Sequence, residues 1–304
     1  MFQCTLFNCK SLNSLQKYLY IEKKEFKSLS IELEEKPDKF FKSFTDKKGR
    51  ELFRCNTQIT KLHRRLIKLF NVKIPIYLKS GIKKQSHITN VKHHKNSNFF
   101  LLVDVKRFYP SITKPKIKKQ LIITYQQSSN VAEFIANLVT IHQTKANNKR
   151  ALVTGSPLSQ YFAFVINKKM FDELNEISIE ENVKFSVYVD DMTFSSKKTI
   201  SYKFHQKVFT ILSKYGFITH LTGDKKTYRG KIGSKSKITG VHITKYGLRL
   251  LPKHKESIKK IINTTLYKEQ QKRLLGLINY AIQVNPKYKK LKTILKKSNK
   301  LLNI

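Results

Sequence analysis

The chain has 304 residues, with 61 Lys and Arg against 20 Asp and Glu, a formal net charge of +41, and 40% hydrophobic residues. The length suits one large domain or two smaller ones, the apolar content suffices for a sizeable core, and the excess charge is spread along the whole chain rather than confined to a tail. A folded body this basic repels itself unless a polyanion offsets the charge, so nucleic acid is the expected partner.

No apolar run approaches the ~18 residues that would span a bilayer, and Met1-Phe2-Gln3-Cys4 lacks the basic start of a secretory signal. Cys4, Cys9 and Cys55 are a scattered set without metal-ligand spacing. A reducing cytoplasm, with no membrane partner, is the expectation. His87, His93 and His94 form a local cluster without Cys partners, better suited to a surface or RNA-contacting role than to zinc.

In chain order, Leu12, Leu15, Tyr18 and Leu19, then Phe26, Leu29, Ile31 and Leu33, recur at helical spacing until Pro37 ends the pattern. Alternating runs Phe40–Phe44 and Glu51–Arg54 flank Asp46-Lys47-Lys48-Gly49, a hairpin signal with cations at its tip. Ile59–Phe70 reads as a basic amphipathic helix with Leu62, Leu66 and Leu69 inward. Residues 71–97 read as irregular and polar. Asn98–Asp104 is an apolar run ending in a carboxylate, a buried strand that delivers an acid at its open end; capping of a following helix is the plainer role for Asp104.

Helical spacing dominates from Lys116 to Ile141, and Thr154-Gly155-Ser156-Pro157 opens a further helix whose free N–H groups suit an anion. Phe185–Phe194 reads as two short strands joined by a tight turn with Asp190 and Asp191 at the tip. Tyr202–Tyr215 is another helix, residues 217–250 hold short strands, and the chain from Pro252 onward is helical and basic. Two parts emerge: a mixed α/β body through about residue 250 and a helical C-terminal lobe.

Consecutive strand residues point to opposite faces, so Asp190 and Asp191 share a site only at a turn. Two carboxylates held so close repel, which a raised pKa or a bound cation relieves. With Asp104, three acids in a +41 chain point to a hard divalent ion such as Mg²⁺, which prefers oxygen ligands. Two such ions about 4 Å apart would serve phosphoryl transfer.

Tyr188-Val189-Asp190-Asp191 resembles the palm motif of reverse transcriptases. Asn98–Asp104 with Val105-Lys106-Arg107-Phe108-Tyr109-Pro110 is similar to the preceding palm strand of the bacterial branch, and Thr154–Ser159 to its Gly-x-Pro-x-Ser turn. Within that branch the resemblance is to retron reverse transcriptases, through Asn90-Val91-Lys92-His93-His94, Ile238-Thr239-Gly240 and Leu275–Tyr280 with Asn285-Pro286. Val91, Ile238, Gln160, Thr154 and Arg107 depart from the usual residues, and the loop before Lys226 is longer than usual.

The resemblance implies an α+β right-hand polymerase fold. It would comprise an N-terminal helical segment (1–36), fingers (37–97), a palm of antiparallel sheet and helices (98–250, with finger elements at about 114–150) and a helical thumb (251–304). It implies metal ligation by Asp104, Asp190, Asp191 and the Val105 carbonyl. Nucleotide binding would fall to Arg54, Lys47, Lys48, Tyr109 (excluding a 2′-OH), Gly155 and Lys226 (an acid for pyrophosphate), and RNA binding to Asn90, His94, Thr239 and Gly240.

The implied reaction copies a cognate structured noncoding RNA from dNTPs, primed at a 2′-OH, into a branched RNA–DNA hybrid (msDNA). An effector toxin or nuclease, host RNase H and a role in antiphage defence belong to the same implication. Alternatives are another bacterial or intron-related reverse transcriptase with different priming, and a noncatalytic RNA-binding module.

Overall fold

The computed structural model describes residues 4–47, 49–220, 227–233, 236–262 and 268–293. The helices are α1 (Leu12–Leu19), α2 (Lys23–Glu35), α3 (Thr57–Leu69), α4 (His87–His93), α5 (Lys114–Ile123), α6 (Ser129–Val139), α7 (Ser159–Glu180), α8 (Tyr202–Lys214), α9 (Pro252–Ile262) and α10 (Lys268–Val284). The strands are β1 (Phe41–Thr45), β2 (Glu51–Cys55), β3 (Phe99–Asp104), β4 (Thr140–Gln143), β5 (Lys149–Leu152), β6 (Lys184–Tyr188), β7 (Asp191–Ser196), β8 (Tyr228–Lys231), β9 (Lys237–Ile238), β10 (Val241–Thr244) and β11 (Gly247–Leu250). The chain is thus α+β.

Local chemistry starts many of these helices. Ser11, Asn56, Ser86, Ser128 and Ser201 each accept a backbone N–H at a helix start, contacts typically worth ~1 kcal/mol apiece. Residues 71–97 were expected to be irregular, but α4 forms there. Ser86 and Thr89 close a reciprocal capping box over a seven-residue helix too short to show an amphipathic repeat. The stretch from Lys116 to Ile141, where helical spacing dominates, holds two helices, α5 and α6, with Gln126 at φ 52 between them and Tyr125 fully buried.

At the centre is an antiparallel sheet in the order β6-β7-β3-β8. Its two faces differ in chemistry, as strand alternation demands. Leu101, Val103, Val105, Phe185, Val187, Met192 and Phe194 project to one side and join the main core, where Phe194 stacks on Phe185 and meets Phe204 of α8 edge-on. On the opposite side lie Phe100, Leu102, Asp104, Ser186, Tyr188, Asp191, Thr193 and Ser195, as the cross-strand register requires.

That second face is partly roofed. Phe100 belongs to a separate core with Ile88 and Val91 of α4, Ile238, Val241 and Ile243 of the small sheet, and Leu274, Ile278 and Ala281 of α10. The sheet β9-β10-β11 therefore packs with the C-terminal helices as well as with α4. Beyond this roof, Asp104, Tyr188, Asp190 and Asp191 are half-exposed. The buried guanidinium of Arg150 donates to the carbonyls of Leu33, Asn137 and Thr140, satisfying helix C-termini that would otherwise be orphaned.

Candidate active site

Asp104 is the last residue of β3 and Asp191 the first of β7, and the two are partners in the antiparallel ladder. Directly opposed residues have Cβ atoms ~4.5–5.5 Å apart and side chains on the same face. Tyr188 pairs with Asp191 across the next rung, which leaves Val189-Asp190 as a two-residue hairpin turn. Val189 sits at φ 62. A positive φ at only the first central residue is the type II′ pattern, a costly conformation for a β-branched side chain. The surroundings hold it: Ser80 Oγ accepts the Val189 N–H at 2.8 Å, and Val187 exchanges backbone hydrogen bonds with Tyr77 and Lys79 at 2.9 Å.

The backbone of Val105 faces the same corner. His220 N–H donates to Asp104 C=O at 3.1 Å and Lys106 N–H to Ile218 C=O at 2.7 Å, framing a bridge between Val105 and Thr219. In that pattern the polar groups of Val105 point away from Thr219, to the β7 side where Asp190 turns. Tyr109 follows five residues after Asp104. Its hydroxyl is pushed above the usual phenol range first by burial and then by the negative charge of Asp190.

All the donors gathered here are oxygens: three carboxylates and a carbonyl, the set that suits Mg²⁺ rather than zinc. Among the described residues no three His, Cys, Asp or Glu side chains stand as a ready-made metal cage. The donor chemistry fits hard divalent ions.

The β1–β2 hairpin forms as expected and carries Lys47 and Arg54, both exposed. Arg54 lies across from Lys42 and over the Phe44 ring at 5.7 Å. Like charges directly opposite are unfavourable unless an anion joins them, a signal that adds Lys42 to the candidates. Lys48 and Lys226 lie outside the described residues. Gly155 has φ +103, and a Cβ there would stand 3.0 Å from Phe53 O. Phe53 N–H also donates to Thr154 C=O at 2.8 Å. The turn is thereby laid directly on the strand that carries Arg54.

The family model for reverse transcriptase (RNA-dependent DNA polymerase) matches residues 42–243, a stretch that contains all three acids. The chain belongs to the reverse transcriptase family. It is 24% identical to the Retron Ec83 reverse transcriptase of Escherichia coli over 66% of this chain and 67% of that protein. It is 27% identical to the Retron Se72 reverse transcriptase of Salmonella heidelberg over 80% of this chain and 64% of the relative. For the Retron Ec86 reverse transcriptase of Escherichia coli the figures are 25%, 72% and 66%. The matches thus span about two thirds of the curated relatives' own length.

In this reverse transcriptase the residues expected to touch RNA fall into two groups. Asn90 and His94 are fully buried. His94 Nδ1 lies 2.7 Å from Ser195 Oγ and Nε2 2.7 Å from Ser186 Oγ, while Asn90 Oδ1 accepts from Ser186 at 2.6 Å. Burial, with the charges of His93, Lys184 and Lys79, holds the His94 imidazole neutral. Direct RNA contact by these two side chains is therefore corrected: with both ring nitrogens engaged below the surface, they bind α4 to the serine-bearing face of the central sheet. Thr239 and Gly240 are half-exposed in a left-handed turn at φ 41 and 85, and Thr239 Oγ1 donates to His87 C=O at 3.0 Å. Sequence reasoning missed Ser80 and Tyr77, whose partners lie more than 100 residues away and leave no local signal.

Proposed function

We propose that this reverse transcriptase is of the retron type, copying a cognate structured noncoding RNA into a branched RNA–DNA hybrid from a 2′-OH primer. The cross-strand pairing of Asp104 with Asp191, with Asp190 on the adjoining turn, carries the polymerase reading. The retron reading rests on the similarity to several retron reverse transcriptases.

In this reading the central sheet is the palm, the β1–β2 hairpin belongs to the fingers and α9–α10 form the thumb. Asp104, Asp190, Asp191 and the Val105 carbonyl would hold two Mg²⁺ ions, whose charge would lower the pKa of a primer hydroxyl and offset negative charge on pyrophosphate. Arg54, Lys47 and Lys42, with Lys48 and Lys226, neutralise the triphosphate. Tyr109 fills the space below the sugar and disfavours a 2′-OH. Thr239, Gly240 and the basic C-terminal helices engage structured RNA through phosphates and 2′-OH groups. An effector protein, host RNase H for template trimming, and a part in antiphage defence complete the proposal.

The deciding experiment incubates the protein with the noncoding RNA transcribed beside its gene, dNTPs and Mg²⁺, then digests the product with debranching enzyme. DNA joined to RNA through a 2′,5′ bond supports the retron reading. DNA extended only from a 3′ end points to a reverse transcriptase with different priming, and absence of DNA overturns the assignment.

A further inference from the structure

A buried imidazole ties together the two sides of the proposed nucleotide site. His63, on the inward face of α3, is 0% exposed. Its Nε2 lies 2.8 Å from Leu138 O at the end of α6, and its Nδ1 2.6 Å from Ser156 Oγ. A carbonyl can only accept, so Nε2 carries the proton and the neutral ring's Nδ1 accepts from the Ser156 hydroxyl. Burial keeps the ring neutral, with a pKa lowered to about 4.

Ser156 Oγ in turn accepts the Leu158 N–H at 3.2 Å at the entry to α7. Cys55 Sγ, on β2, lies 3.9 Å from His63 Nδ1. Phe53, two residues earlier on β2, is joined to the same turn through Thr154 C=O and the close approach of Gly155. The strand is thus attached to the 154–156 turn on both sides of Arg54, and His63 is the group that α3, α6, Cys55 and Ser156 share.

We propose that His63 is a positioning residue for nucleoside triphosphate binding. By accepting from Ser156 on the side where it meets Cys55, it sets the distance between the Gly155 turn and the strand that presents Arg54, while the bond to Leu138 fixes the tautomer that leaves Nδ1 an acceptor. The inference rests on the reading of Arg54 and Gly155 as nucleotide contacts. A core histidine with only a packing role would lower stability without a selective effect on nucleotide affinity.

Two substitutions separate the hydrogen bonds. His63→Asn places Oδ1 where Nδ1 stands, keeping the acceptor for Ser156 and dropping the donor to Leu138. His63→Gln places its amide near Nε2 and does the reverse. Ser156→Ala removes the hydroxyl with little change of volume and serves where a His63 variant fails to fold. KM for dNTP and kcat are measured on the full protein with its RNA, beside thermal stability and RNA affinity.

His63→Gln and Ser156→Ala are expected to raise KM for dNTP about tenfold, the scale of one lost hydrogen bond, with RNA affinity unchanged. His63→Asn is expected to stay within about threefold of the parent KM. An unchanged KM in His63→Gln and Ser156→Ala, with lowered thermal stability alone, overturns the proposal. Arg54→Ala is the control for the underlying reading: if it leaves KM unchanged, the nucleotide site itself is misassigned and the inference falls with it.

Discussion

Asp104 and Asp191 face one another as the terminal register pair of β3 and β7, at the open end of the sheet and on the face opposite the main core. Side chains so opposed on a half-exposed face repel in the absence of a cation. Asp104→Asn and Asp191→Asn keep shape and remove charge. Each is expected to lower DNA synthesis by at least about 10²–10³-fold, the scale for loss of one preorganised charged group at a reacting centre. RNA affinity by filter binding should be unaffected. Synthesis at the parent rate would falsify the assignment of these acids.

Metal removal gives a second check on the same corner. With EDTA, DNA synthesis should stop and return when Mg²⁺ is added, because oxygen ligands favour hard ions. The acids need the ion and the fold does not, so circular dichroism and the melting temperature in EDTA should stay close to those of the untreated protein. A collapse of the far-UV signal would mean that the ion is structural.

Tyr109 tests the sugar side. Its hydroxyl is held protonated by burial and by Asp190, so it contributes bulk and not charge at neutral pH. Tyr109→Phe is expected to preserve discrimination between dNTP and rNTP. Tyr109→Ala should relax it by about 10–200-fold, the range for shape-based selection in a pocket. Equal discrimination by the alanine variant and the parent would remove the steric role.

Gly155 permits a contact that strains any L-residue placed there. Its φ of +103 and the 3.0 Å approach of an added Cβ to Phe53 O make Gly155→Ala a test of the β2 contact. A loss of about 1–3 kcal/mol of stability, the usual cost of such backbone strain, is expected in urea unfolding. A rise in KM for dNTP should accompany it. Stability equal to the parent's would show that the turn relaxes away from β2.

Acid should unfold the protein through its buried and half-buried histidines. Burial lowers His63 to about 4, and burial with the charges of Lys79 and Lys184 does the same for His93. His94 is driven well below the ordinary value of 6.5. Because the folded values lie below the unfolded one, the unfolded chain binds more protons between them. Stability is therefore complete above about pH 6.5 and is lost as pH falls toward 4. Melting temperatures between pH 7.5 and 4.5 should fall steeply, with a smaller slope in His63→Asn. A flat profile would contradict the neutral, buried assignment.

Much of the candidate catalytic corner was legible along the chain. Period-two alternation around Asp190-Asp191 and the apolar run before Asp104 specify strands that must expose those acids at their ends, because alternation is a local property of the backbone. The β1–β2 hairpin and the helices with long apolar stripes were legible for the same reason. What only the tertiary structure decided was pairing across distance. Asp104 meets Asp191, Ser80 holds the strained Val189, His94 is enclosed by serines of β6 and β7, and His63 meets Ser156. A polar side chain carries the same sequence signature whether water or a buried hydroxyl satisfies it. Which one does depends on elements that only chain folding brings together.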